Sequence, residues 1–184
     1  MTATPVTTMT VEDYLALDTE RYRRAELVNG MLIEVNPPHG RHQLMAANLL
    51  VALRAAAPAG HSVLQEWGWV THPGRSVREP DLMVVPSELV DAPVLTQPPL
   101  LAVEVLSPDS GLRDLLDKRA EYAAAGLGRY LVAAPDTSPA LLYYESQGGA
   151  LVERAFVAGR NALTLPEPFN PAAALVPMDL VRLG

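Results

Sequence analysis

At 184 residues, 49% of them hydrophobic and 19% charged, the chain is long enough to bury a core and too short for two ordinary domains. It has no cysteine, which excludes disulfide staples, a thiol nucleophile and a cysteine zinc site. Its net charge of −7 weighs against nonspecific duplex binding, which relies on Lys and Arg meeting phosphates, although an acidic residue that binds a cation changes the local sign.

Residues 1–9 read as a disordered leader ahead of one domain over 10–184. They carry no basic region, and no stretch approaches the roughly 20 apolar residues of a membrane span, so the expectation is a cytoplasmic protein with no signal peptide and no membrane partner. Thr10 can cap a short helix running to about Leu17, with Asp13 closing a capping box. Ala25–Val28 and Met31–Val35 flank Asn29-Gly30, the strongest two-residue signal for a type I′ hairpin. A helix is expected from about His42 to Ala57, with Leu49, Leu50 and Leu53 as its apolar stripe.

Val63 to Val70 reads as one strand carrying Trp67 and Trp69 on one face, a core or dimer surface more readily than a base-stacking platform. Next come a strand from Pro80-Asp81 through Val85, a loop with one helical turn at Ser87–Val90, and the apolar run Leu100–Leu106, a central strand by its composition. A helix over Leu112–Ala125, closed by Gly126, precedes strands at Tyr130–Ala133, Ala140–Glu145 and Leu151–Val157. The proline-rich tail is expected to wrap the surface. Together these elements predict an α/β fold with a mixed β-sheet flanked by helices.

Two acidic strand positions and a downstream lysine carry the chemistry. Pro-Asp occurs three times, at 80–81, 108–109 and 135–136, and only the first leads into a strand-like run; elsewhere Asp is an ordinary turn residue. Glu104 lies inside Leu100–Leu106, where a charge needs a partner: an arginine in a salt bridge, or a metal or catalytic role. Lys118 and Tyr122 stack at the margin of the apolar face of the next helix, although an Asp114–Lys118 pair at i, i+4 would also account for the lysine. Two carboxylates on adjacent strands make a site for a divalent cation, and a lysine beside them can hold a water or a phosphate oxygen. Glu26 alone reads as a solvated strand residue, and His39 with His42 as surface histidines in preference to zinc ligands. A glycosidase-like pair of Asp81 and Glu104 lacks an aromatic sugar platform, aromatic residues being 5% of the chain.

Pro80-Asp81, Glu104 and Lys118 resemble the PD-(D/E)XK nuclease superfamily, the fold of many restriction enzymes. More closely, Thr10–Leu15, Glu26–Gly30, Arg41–Gln43, Pro80–Val85, Val103–Pro108 and Lys118–Gly126 are similar, in order, to the Uma-two family of restriction-endonuclease type. The resemblance implies a restriction-endonuclease-like core and a DNA substrate. It implies Mg²⁺ (or Mn²⁺) on Asp81, Glu104 and the Val105 carbonyl, and Glu26 as an auxiliary acid. Lys118 is the candidate for the catalytic lysine; beyond the resemblance, His42 at the helix N-terminus is expected to contact the substrate phosphate, and Tyr122 to support the lysine on the substrate side. The superfamily usually places lysine two residues after the second acid, where this chain has Leu106, so the role passes to Lys118 on the helix. A homodimer is expected, since cutting two strands calls for two sites. The rival expectation is a degenerate nuclease fold kept as a binding or dimerisation module.

Overall fold

The order of short elements follows the polarity pattern closely in this computed structural model, which describes residues 8–17, 25–107 and 112–182, with the backbone alone at 112–114. The leader up to residue 7, the second Pro-Asp and the Asp114 side chain lie outside the described residues. Thr10 caps α1 (Val11–Leu15): its hydroxyl accepts from the Asp13 N–H at 3.1 Å while the Asp13 carboxylate takes the Thr10 N–H at 2.9 Å. The hairpin β1 (Ala25–Val28) and β2 (Met31–Glu34) turns at Asn29 and Gly30, both in the left-handed region at φ 51° and 80°. Gly30 is required for a second reason, because a Cβ there would lie 2.7 Å from the Thr8 side chain.

Helix α2 (Gly40–Ala56) buries His42, Met45, Ala46, Leu49, Leu53 and Ala56, a stripe at three- and four-residue spacing. The expected single strand over 63–70 is instead two strands in different sheets, β3 (His61–Gln65) and β4 (Trp69–His72). The break falls at Glu66, whose φ of 46° no pleated strand can hold, and at Gly68. A Cβ on Gly68 would meet Val94 and Val77 at 3.1 and 3.2 Å. Trp67 and Trp69 therefore share no strand face, and Trp69 is wholly buried.

The mixed sheet has six strands in the order β10-β9-β8-β7-β6-β3, formed by β3, β6 (Leu82–Pro86), β7 (Leu101–Val105), β8 (Arg129–Ala134), β9 (Ala140–Gln147) and β10 (Ala150–Ala158). Only β7 and β8 run parallel, joined by the crossover helix α3 (Leu112–Ala124). A second, four-stranded antiparallel sheet has the order β2-β1-β5-β4, with β5 at Ser76–Arg78. The expected α/β fold with a mixed sheet flanked by helices holds, and the smaller sheet is an addition to it. On one face of the larger sheet, the α2 stripe packs on Leu82, Val84, Leu101, Val103 and Leu131. On the other, Tyr122 of α3 packs on Met83, Ala102, Tyr130 and Val132. The tail does more than wrap the surface: Leu163, Leu165, Phe169, Leu175 and Leu180 (in α4, Pro177–Leu180) are buried in the α2-side core.

Candidate active site

Strand register brings the two acids together. Antiparallel β6 and β7 pair Leu82 with Val103 and Met83 with Ala102, so Asp81, one residue before the ladder, falls opposite Glu104. There the Asp81 carboxylate caps the ladder, its Oδ2 accepting the Val105 N–H at 2.6 Å. Its other oxygen lies 3.2 Å from His42 Nε2. His42 is the polar end of the α2 stripe, 9% exposed, and its Nδ1 has no hydrogen-bond partner among the described residues. Burial alone would lower the imidazole pKa, but the hydrogen bond and charge of Asp81, helped by Glu104 and Glu66, raise it overall.

Glu104 points to the α3 side and meets that helix rather than an arginine. Its Oε1 accepts from the Tyr122 hydroxyl at 2.6 Å, and its Oε2 from Lys118 Nζ at 3.1 Å. Burial pushes its carboxyl up to about 7 against the pull of Lys118, with the charges of Asp81 and Glu26 adding to the rise. Lys118 is thus turned inward, 3.9 Å from Glu26 Oε1 as well, and not spent on a solvated helix face. Tyr122 differs from its expected place beside substrate: it is wholly buried and its hydroxyl is given to Glu104, so it positions that carboxylate.

Glu26 is buried, not solvated. Its Oε2 accepts from Arg78 Nη1 at 2.9 Å and its Oε1 from the Glu79 N–H at 3.0 Å. Arg78 reaches on to Glu121, its Nε 3.0 Å from both carboxylate oxygens, and Thr71 donates to the same carboxylate. Glu121 is a residue of α3. Helix α3 therefore grips both sheets, the larger through Lys118 and Tyr122 and the smaller through Glu121. Sequence reasoning missed Arg78, Glu79 and Glu121; the available signal was an Arg-Glu pair just before Pro80-Asp81.

Asp81, Glu104, Val105, Lys118, His42 and Glu26 all line one cavity of about 150 Å³, together with Glu66 and Glu79. Burial pushes the Glu79 carboxyl up to about 7, helped by the charges of Glu26 and Glu66 against the hydrogen bond from Tyr14. Five carboxylates face one lysine and two histidines here, an excess of negative charge that a cation would relieve. No group of three or more His, Asp or Glu side chains is gathered closely enough to hold a metal among the described residues. The protein's share of a cation shell would then be the Asp81 and Glu104 carboxylates and a backbone carbonyl. Such hard oxygen donors, with the remaining positions left to water, fit Mg²⁺ or Mn²⁺ and not zinc.

The fold is that of a solved structure described as a putative nuclease belonging to DUF820 from Anabaena variabilis. The two share 16% identity at a TM-score of 0.73, over 96% of this chain and 98% of that one. No curated protein matches the chain. No helix among the described residues is long and apolar enough to cross a membrane. The model of the Uma2 family, described as "Putative restriction endonuclease", matches residues 11–177, and the chain belongs to that family.

Proposed function

We propose that the protein is a divalent-cation-dependent endonuclease hydrolysing DNA phosphodiesters. The observation that carries this reading is the end of the β6–β7 ladder, where Asp81 and Glu104 fall opposite each other with the Lys118 ammonium 3.1 Å from Glu104. Asp81, Glu104 and the Val105 carbonyl would hold Mg²⁺, which when bound polarises a phosphoryl oxygen and acidifies a coordinated water. The Val105 N–H and His42 keep the Asp81 carboxylate aimed into the cavity, and Tyr122 does the same for Glu104. Lys118, steadied between Glu104 and Glu26, orients the attacking water and meets charge building on the phosphate oxygens. Glu26 lies off the β6–β7 ladder on the smaller sheet, 3.9 Å from Lys118 and held by Arg78 and the Glu79 N–H, so it supports the lysine.

Nicking of supercoiled plasmid in Mg²⁺ or Mn²⁺, with EDTA and Asp81→Ala controls, tests the proposal. Cleavage lost in both controls, with the variant's fold retained, is the expected outcome. A folded wild-type protein that neither cuts nor gains melting temperature with either metal would give way to the binding-module reading.

A further inference from the structure

A second cavity, of about 380 Å³, lies against the first and shares Glu66 and Glu79 with it. Its chemistry is different. Trp67, Tyr14, Leu17 and Val94 give it aromatic and aliphatic walls, and only the shared side bears carboxylates. Trp67 is half-buried and lines this cavity, whereas Trp69 beside it in sequence is sealed in the core. The shared wall is also an unusual piece of backbone. Glu66 sits in the left-handed region at φ 46°, where a non-glycine residue is uncommon, and the chain changes sheet at that point.

The geometry points to this second cavity as the seat of an unpaired nucleobase of the DNA strand whose phosphate meets Asp81 and Glu104. The size is that of a small-molecule pocket, which begins at about 300 Å³ and has mostly apolar walls with a few convergent polar groups. A planar base stacks on an indole regardless of its identity. The carboxylates accept from the exocyclic amines of adenine, cytosine or guanine, which thymine lacks. Because the carboxylate wall is common to both cavities, a nucleotide can place its base in one and its phosphate in the other. A paired base has no such access, so the substrate class is single-stranded DNA or DNA with a base turned out of the helix. The identity of the strand rests on the proposed nuclease activity, while the seat itself does not need cleavage to be observed.

The test is fluorescence anisotropy of labelled single-stranded deoxyoligonucleotides with the full chain in Ca²⁺, which takes the same carboxylate oxygens as Mg²⁺ and offsets the cavity's negative charge, the strands being checked on a gel for cleavage. A mixed-sequence strand is expected to bind about tenfold or more tightly than a strand of the same length made of abasic units, and oligo-dC more tightly than oligo-dT. Trp67→Ala should abolish the tenfold advantage and Trp67→Phe restore most of it. Leu15→Trp, at the mouth of the cavity, should weaken base-dependent binding without removing a core residue. Equal affinity for base-bearing and abasic strands, binding of RNA in place of DNA, or an unchanged Trp67→Ala protein would overturn the assignment. Failure of the nuclease reading looks different: base-dependent binding would persist, with no nicking of plasmid in Mg²⁺.

Discussion

Glu104 is held by two donors of unequal kind, and their removal should read out differently. Tyr122→Phe deletes a neutral donor at 2.6 Å and leaves the ring in place against Trp69 and Tyr130. Losing a partner that orients a metal-binding carboxylate typically costs about 10–100-fold in metal affinity or activity. We expect such a loss in the Mg²⁺ titration of cleavage, with an unfolding midpoint much nearer to wild type than the activity is. Under the proposed mechanism Lys118→Ala should abolish cutting, because the ammonium 3.1 Å from Glu104 goes with it. Leu106 lines the same cavity. A Lys118→Ala, Leu106→Lys protein should therefore recover part of the lost nicking rate. No recovery would mean that the lysine must approach from the helix side.

At the scale of elements, α3 binds the smaller sheet through Arg78 and Glu121. Arg78 is buried between Glu26 and Glu121, and removing one partner of a buried pair typically costs about 3–5 kcal/mol, since the others are left uncompensated. Arg78→Met should lower stability by that order in denaturant melts. For Glu121, burial would raise its carboxyl, but hydrogen bonds from Arg78 and Thr71 outweigh it and hold the carboxyl below its usual range. A depressed acid stabilises the fold above its unfolded pKa, and that contribution is lost as pH falls through the folded value. Glu121→Gln should accordingly show a shallower loss of melting temperature on acidification below about pH 4.5 than wild type does. Local elements of this kind were legible in the chain: the Thr10 capping box, the Asn29-Gly30 hairpin and the α2 stripe each have a short-range signal. The split of residues 63–70 between two sheets was not, because it turns on Glu66 adopting a conformation its side chain does not announce. The Arg78 network escaped for a different reason, its partners being 43 and 52 residues away along the chain.

The whole molecule carries an exposed apolar line on one edge. Met31, Ile33 and Val35, at 55, 44 and 47% exposed, alternate along β2 and its extension, and β2 is the outermost strand of the smaller sheet. Such an edge offers unpaired backbone groups to a second copy in two-fold pairing, and Val35 also borders the Asp81–Glu104 cavity, so that pairing would bring two such cavities together. Sedimentation should show a dimer that Ile33→Lys converts to a monomer; a wild-type monomer at high concentration would remove the edge as an interface. Trp69, once a candidate for that surface, is excluded by its burial.

Helix α3 has one more consequence, for the cell that makes the protein. Its lysine finds its seat against an acid in each sheet, and its glutamate is fastened to the smaller one. A chain with only one sheet in place, whether newly made or partly melted, lacks half of what orients the ammonium. Any hydrolysis that depends on this ammonium would therefore arrive only with the completed fold.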